Sequence, residues 1–342
     1  MLPGGDTARP GDTPGPDGPI PPAPPAGGKT ETRHFLRDDD LAPAEQAEVL
    51  TLAARIKASR RAARFADQPL AGPRAVAVIF DKPSLRTRVS FATGIAELGG
   101  YPLVIDSAGT HAGRGETVGD LGRVLSRQVS AIVWRTFGQE QLAELAAASS
   151  VPVVNALTDQ FHPCQILADL LTIQEAAGRL SGVTLTFLGD SSSNMAHSYL
   201  LGAATAGMHV RICGPARYPP APAVVATAVV IAARTGGSIS IGADPDEAAK
   251  GADFLATDVW TSMGQEGQEQ ARTAAMIPYR LDGARLDQAA PGAGVLHCLP
   301  AHRGQEITAE VLDGPQSLAW DQAENRLHAQ KALLSWLIGR SR

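Results

Sequence analysis

Short apolar runs alternate with stretches of helical periodicity along most of the chain. The runs Ala75–Phe80, Pro102–Ile105, Ala131–Trp134, Pro152–Val154, Thr184–Leu188, His209–Cys213, Ser238–Ile241, Phe254–Ala256 and Val295–Leu299 predict strands. Their alternation with helical stretches argues for parallel sheets covered by helices on both faces. Between them, apolar positions recur at helical spacing. Leu41, Val49, Leu52 and Ile56 follow an acidic start at Asp38-Asp39-Asp40, and Leu85, Val89, Ala92, Ile95 and Leu98 run up to Gly99-Gly100. Within residues 157–183, Leu167, Leu170, Leu171 and Ile173 share a face and Gly178 and Gly182 mark its end. Residues 329–338 are apolar enough for one more docked helix. The alternation predicts the α/β class. There are too many strands for one ordinary sheet, so two doubly wound parallel-sheet domains joined by helices are expected.

Composition narrows the class. The 342 residues are 44% hydrophobic and 19% charged, which suits an enzyme with real cores. The net charge of −5, with no strongly basic segment, argues against a nucleic-acid partner. Cys164, Cys213 and Cys298 are far apart and form no CxxC pair, so neither a disulfide framework nor a zinc site is indicated and a reducing compartment is expected. No apolar run approaches the roughly 18–20 residues of a membrane span. The N-terminus also lacks the basic and apolar regions of a secretory signal, so a cytoplasmic location without membrane contact is expected. Pro and Gly dominate residues 1–28, and residues 1–33 read as a disordered tail. Gly28-Lys29-Thr30 imitates the end of a phosphate-binding loop, but Ala23 stands where a glycine is required and no strand precedes it.

In open parallel sheets, ligands sit at the carboxyl ends of strands, so the polar residues that follow the apolar runs are the candidates. After Ala75–Phe80 comes Asp81-Lys82-Pro83-Ser84-Leu85-Arg86-Thr87-Arg88. A helix starting near Ser84 would point free backbone N–H groups, two arginines and two hydroxyls at the strand exit, a phosphate cradle. The plain alternative for each residue alone is a helix cap or a solvated arginine.

Here the chain resembles a known family. Ser84-Leu85-Arg86-Thr87-Arg88 is similar to the Ser-Thr-Arg-Thr-Arg signature of the aspartate and ornithine carbamoyltransferase superfamily. Phe161-His162-Pro163-Cys164-Gln165 resembles its His-Pro-x-Gln motif. Asp258-Val259-Trp260-Thr261-Ser262-Met263-Gly264 and His297-Cys298-Leu299-Pro300 resemble two segments of the ornithine branch. Four clusters in matching order are far more specific than any one of them.

The resemblance implies transfer of the carbamoyl group of carbamoyl phosphate to the δ-amine of L-ornithine, giving L-citrulline and phosphate, with no cofactor and no metal. It implies a carbamoyl-phosphate domain over residues 34–167, completed by a C-terminal helix 322–342 packing back on it, and an ornithine domain over 168–321. By the same resemblance Ser84, Leu85 (through its backbone), Arg86 and Thr87 hold phosphate, and Arg135 bridges phosphate and carbonyl oxygen. His162 donates to that oxygen, while Gln165, the carbonyls of Cys298 and Leu299, and Arg326 fix the carbamoyl group. Asn194, Asp258, Ser262 and Met263 grip the α-amino and carboxylate groups of ornithine, with Cys298 beside the δ-nitrogen. A homotrimer is implied, with sites shared between subunits through a loop near residues 107–117.

Departures from the family pattern are visible. Leu85 replaces a threonine, removing one hydroxyl contact to phosphate of about 1.5–3 kcal/mol and implying weaker affinity. Ala92, His111, Leu121 and Ser191-Ser192-Ser193 also differ. They leave room for a paralogue with another amine acceptor or altered inhibitor sensitivity, or for a non-catalytic relative. A dinucleotide-dependent oxidoreductase is disfavoured, because Gly189-Asp190-Ser191-Ser192-Ser193-Asn194 lacks the GxGxxG fingerprint.

Overall fold

The computed structural model describes residues 32–62, 65, 68–106, 115–260 and 269–340. Most of the predicted tail, most of the 107–117 loop, Ser262 and Met263 therefore lie outside the described residues. Two parallel sheets organise the chain. The first is built from β1 (Ala75–Phe80), β2 (Tyr101–Asp106), β3 (Ala131–Arg135) and β4 (Val153–Leu157) in the order β2-β1-β3-β4. The second comprises β5 (Thr184–Leu188), β6 (His209–Cys213), β7 (Ser238–Gly242), β8 (Phe254–Thr257) and β9 (Gly294–His297), in the order β7-β6-β5-β8-β9.

Twelve α-helices are defined among the described residues. With the first sheet come α1 (Pro43–Arg61), α2 (Leu85–Glu97), α3 (Val118–Leu125) and α4 (Gln139–Ala148). The passage between sheets is α5 (Pro163–Ala177). The second half carries α6 (Asn194–Thr205), α7 (Pro222–Thr235), α8 (Pro245–Ala249), α9 (Glu269–Met276), α10 (Gly283–Leu286) and α11 (Ala309–Leu312). The long α12 (Ala319–Arg340) follows and packs against α1, α2 and α5, beside the first sheet.

Side chains of one strand supply cores on opposite faces, as a doubly wound sheet requires. Val76, Val78 and Phe80 of β1 join the large core with α1, α2, α5 and α12, while Ala77 and Ile79 face Leu142 and Leu145 of α4. In the second sheet Leu185 and Phe187 pack with α6, and Leu188, Leu255 and Val295 pack on the other side with Leu281 and Leu312.

Both sheets reverse direction at a point that matters for function. In the first, the chain winds outward to β2 on one side of β1 and to β3 on the other; in the second, to β6 on one side of β5 and to β8 on the other. At such switch points the loops leaving two neighbouring strands part and open a crevice. Phe80 and Arg135 are register partners at the first crevice, and Leu188 and Thr257 at the second.

Several bounds differ from the sequence expectation. The acidic triplet Asp38–Asp40 forms a separate 3-10 turn, and α1 begins at Pro43, whose missing N–H costs nothing at a helix start. The strand β4 continues to Leu157 because it pairs with β3 out to Arg135. The strand β9 stops at His297, because Leu299 turns to a left-handed conformation (φ 57°) that leaves the sheet. Among the described residues no helix is long and apolar enough to cross a membrane.

Candidate active site

A cavity of about 720 Å³ lies where the two switch points meet. Its walls come from the turn after β1, the ends of β3 and β4, the start of α5, the loop between β5 and α6, and the segments after β8 and β9.

The turn after β1 is shaped by its own residues. Ser84 is the N-cap of α2: its hydroxyl accepts from the Thr87 backbone N–H and donates to Thr87 Oγ1 at 2.9 Å. That fixes the positive end of α2 toward the cavity, with Leu85 and Arg86 on its first turn. Leu85 is 77% exposed, so its side chain is bound by no packing and faces the mouth. Arg135 ends β3 and is buried, its Nη1 donating to Thr87 Oγ1 at 3.4 Å. Arg326 reaches in from α12; its Nη2 donates to Thr87 Oγ1 at 2.8 Å and its Nη1 to Gln165 Oε1. Thr87 thus sits at the centre of an arginine cluster. Burial, followed by the neighbouring Arg326 charge, lowers the Arg135 guanidinium to about 10. Arg326 is lowered too, mainly by burial. Two cations held together out of water are costly, and a dianion between them would offset that cost.

His162 stands at the N-cap of α5, with Pro163 at the first helical position, and its backbone N–H donates to Ser198 Oγ at 2.9 Å. Burial and then the Arg326 and Arg135 charges push the imidazole well below its usual range, so it is neutral near pH 7. Its Nδ1 is buried and has no hydrogen-bond partner. A neutral imidazole can donate one N–H without adding a charge. Gln165, one turn along α5, is buried behind this surface and meets the cavity through Arg326.

The opposite wall is acidic and polar. Asp258 follows β8, and its Oδ1 accepts from the Val259 N–H at 2.7 Å and from Cys298 Sγ at 3.0 Å. Burial raises the Asp258 carboxyl, and burial together with Asp258 pushes the Cys298 thiol well up, which keeps the thiol protonated as the donor. Asn194, the first residue of α6, lines the cavity and donates to the Thr158 carbonyl at 2.8 Å. Leu299 and Pro300 close this side. Ser84, Leu85, Arg86, Thr87, Arg135, His162, Asn194, Asp258, Cys298, Leu299 and Arg326 therefore line one cavity, and Gln165 backs it.

Sequence reasoning gave no role to Lys82, which also lines the cavity. Its Nζ is buried, 2.5 Å from Asp159 Oδ1 and 4.0 Å above the Phe137 ring. The signal was its place in the turn after β1; its partners lie far along the chain, where no local pattern could point. Asp258, His297 and Cys298 carry metal-ligating atoms within 4.8 Å of one another. Both nitrogens of His297 are engaged, however: Nδ1 accepts from the Leu299 N–H at 2.9 Å, and Nε2 lies 3.0 Å from Glu306 Oε1. Within the trio the hydrogen bond runs from Cys298 to Asp258, while the His297 ring is held by Leu299 and Glu306.

Two family models account for nearly the whole described chain. Residues 33–175 match the aspartate/ornithine carbamoyltransferase carbamoyl-P binding domain, and residues 181–337 match the Asp/Orn binding domain. The chain belongs to the aspartate/ornithine carbamoyltransferase family. Among its carbamoyltransferase relatives, the ornithine carbamoyltransferase of Clavibacter sepedonicus is 62% identical over 310 residues, covering 91% of this chain and 100% of the relative. The solved ornithine carbamoyltransferase from Pyrococcus furiosus superposes with a TM-score of 0.86 at 41% identity, covering 90% of this chain and 97% of that one. The anabolic ornithine carbamoyltransferase of Campylobacter jejuni gives a TM-score of 0.84 at 35% identity, with 89% and 98% covered. The two switch-point crevices open into the same cavity.

Proposed function

We propose that the protein transfers the carbamoyl group of carbamoyl phosphate to the δ-amine of L-ornithine, yielding L-citrulline and inorganic phosphate in arginine metabolism. The observation that carries this reading is the polarity of the cavity: Thr87, Arg135, Arg326 and the start of α2 on one wall, Asp258 and Cys298 on the other.

On the first wall, Ser84, Arg86, Thr87 and the backbone N–H groups of the α2 start hold the phosphate dianion. Arg135 spans phosphate and carbonyl oxygen, and neutral His162 donates to the same oxygen as negative charge develops there. Gln165, Arg326 and the carbonyls of Cys298 and Leu299 fix the carbamoyl amide. On the second wall, Asp258 and Asn194, joined by Ser262 and Met263, take the α-amino and carboxylate groups. The δ-ammonium, with a free pKa near about 10.4, must first lose a proton. The nitrogen then forms a bond to the carbonyl carbon while the bond from that carbon to the phosphate oxygen breaks; the phosphate leaves with the electron pair and takes the second proton that the nitrogen sheds.

The division of labour proposed for the chain is residues 34–167 plus 322–342 for carbamoyl phosphate and 168–321 for ornithine. The packing of α12 against α1, α2 and α5 supports it. A homotrimer is proposed as well. Leu85 and Val89 on α2 and Tyr101 and Leu103 on the edge strand β2 leave a large apolar surface exposed, as a subunit interface would. A cytoplasmic location fits the free thiols of Cys164, Cys213 and Cys298.

The test is product analysis with purified protein and carbamoyl phosphate, offering ornithine, lysine, putrescine and aspartate side by side. Citrulline from ornithine, at a kcat/KM at least about a hundredfold above the others, is expected. Preference for another amine would replace the acceptor assignment, and no turnover with any of them would end the catalytic reading.

A further inference from the structure

A buried carboxylate behind the cavity has no part in the chemistry above. Asp169 lies one helical turn after Gln165 on α5 and is fully buried. Three donors converge on it: Gln165 Nε2 at 2.8 Å and Gln322 Nε2 at 2.7 Å, both on Oδ1, and the Tyr199 hydroxyl at 2.6 Å on Oδ2. The three come from α5, α12 and α6.

An amide side chain can turn over, exchanging its oxygen for its nitrogen, and an unconstrained glutamine would present either atom to a ligand. Gln165 is not free to do so. Its nitrogen faces an acceptor, Asp169, and its oxygen faces a donor, Arg326 Nη1. Gln322 is fixed in the same way, its nitrogen on Asp169 and its oxygen accepting the His297 backbone N–H at 2.8 Å. His297 immediately precedes Cys298. One carboxylate oxygen therefore references two parts of the wall: the Gln165 amide directly, and the end of β9 through Gln322.

We infer that Asp169 is a positioning residue: it holds the Gln165 oxygen toward Arg326 and the carbamoyl amide, and ties that oxygen to the β9 end that carries Cys298 and Leu299. This rests on the carbamoyl-phosphate reading of the cavity. An apolar side chain at 169 would leave two buried glutamine nitrogens without an acceptor, and turning Gln165 to relieve one would set its N–H groups against Arg326. Asparagine keeps an oxygen for both glutamines, because its own nitrogen can face the Tyr199 hydroxyl, which accepts as well as donates.

The experiment is steady-state kinetics on Asp169→Ala and Asp169→Asn, with direct carbamoyl phosphate binding by calorimetry. Asp169→Ala is expected to weaken carbamoyl phosphate binding and lower kcat by about tenfold or more each, the effect of a mis-set buried amide, while the KM for ornithine moves less than about threefold. Asp169→Asn is expected to recover to within about fivefold of wild type. A lesion that merely lowers the folded fraction would reduce kcat and leave both KM values and the calorimetric affinity alone. That result, or Asn as damaging as Ala, overturns the inference.

Should Asp169→Ala fail to fold, Gln165→Glu probes the same contact with Asp169 in place. Its inner oxygen would face a carboxylate that burial has pushed up to about 6, among Tyr199 on α6, Arg326 on α12 and Cys298 after β9. The two carboxyls can share a proton at low pH and repel each other at high pH. Carbamoyl phosphate affinity of Gln165→Glu relative to wild type is expected to fall about tenfold or more from pH 6 to pH 9, and a flat ratio overturns the inference. If the wild type binds carbamoyl phosphate but ignores ornithine, the acceptor assignment fails and the Asp169 prediction is still read from the calorimetry.

Discussion

Asp38 shows what a single buried charge does to this protein. It belongs to the 3-10 turn before α1, is 3% exposed, and its carboxyl oxygens have no hydrogen bond of good geometry. Burial pushes its carboxyl well above the usual range, with the Ser198 hydroxyl opposing only in part. The folded chain therefore holds the proton more tightly than the unfolded chain. Below the unfolded value of about 3.9 this costs nothing; above it, stability is lost as pH rises toward the folded value. Asp38→Asn removes the ionisation and should raise the melting temperature at pH 8 by about 2–4 °C per kcal/mol relieved. The gain should shrink on acidification, and an equal gain at pH 4.5 and pH 8 would refute this account. Arg86 was conspicuous because it follows an apolar run, where a parallel sheet exposes its polar groups, whereas Arg135 and His162 stood out through the resemblance of their segments to the carbamoyltransferase family. Asp38 read merely as part of an acidic helix start, and nothing in the sequence singled out Asp169. Their character depends on Gly202, Gln322 and Tyr199, which only folding brings near.

At the level of elements, strand cores were legible and strand ends were not. Apolar runs located the nine strands of the described residues; burial on both faces gives strands such as β3 and β8 an unbroken hydrophobic signature, while the edge strands β2 and β7 are largely exposed. The ends of β4 and β9 depended on pairing with β3 and on the backbone turn at Leu299, neither of which apolar content reports. The loop after β5 has its own constraint. Gly214, just past β6, lies so close to it that a Cβ would stand 2.1 Å from the Gly189 carbonyl oxygen and 2.4 Å from Ser191 Oγ. Gly214→Ala must push the 189–194 loop away, and Asn194 and Ser192 with it. It should cost about 2 kcal/mol or more and lower the melting temperature by about 4 °C or more. Gly242→Ala, with nothing within 4 Å of the new carbon, is the control and should change stability by less than about 0.5 kcal/mol. Equal melting curves for the two variants would remove the close-approach argument.

Across the whole molecule, the two sheets present their switch points to one cavity, and the cations gathered there are held at a cost. Arg135 and Arg326 are both buried, and Arg135 is lowered to about 10. A ligand that supplies negative charge should therefore stabilise the fold as a whole. At a hundred times its dissociation constant, carbamoyl phosphate should contribute about 2.7 kcal/mol by linkage. Thermal melts should shift upward with carbamoyl phosphate and less with inorganic phosphate, which lacks the carbamoyl group. An unchanged melt with carbamoyl phosphate would contradict the arginine cluster as its binding site.

The partnership of α12 with α1 also bears on how the chain comes off the ribosome. Trp336 Nε1 donates to Glu48 across 288 residues of sequence, and Ala329, Leu333 and Leu337 fill the same core as Val49 and Ala53. Until residues 319–340 have been made, the earlier half must wait with an oily groove uncovered, a nascent state exposed to aggregation and to chaperones. Because Arg326 arrives with that same helix, completing the core and arming the pocket are one event.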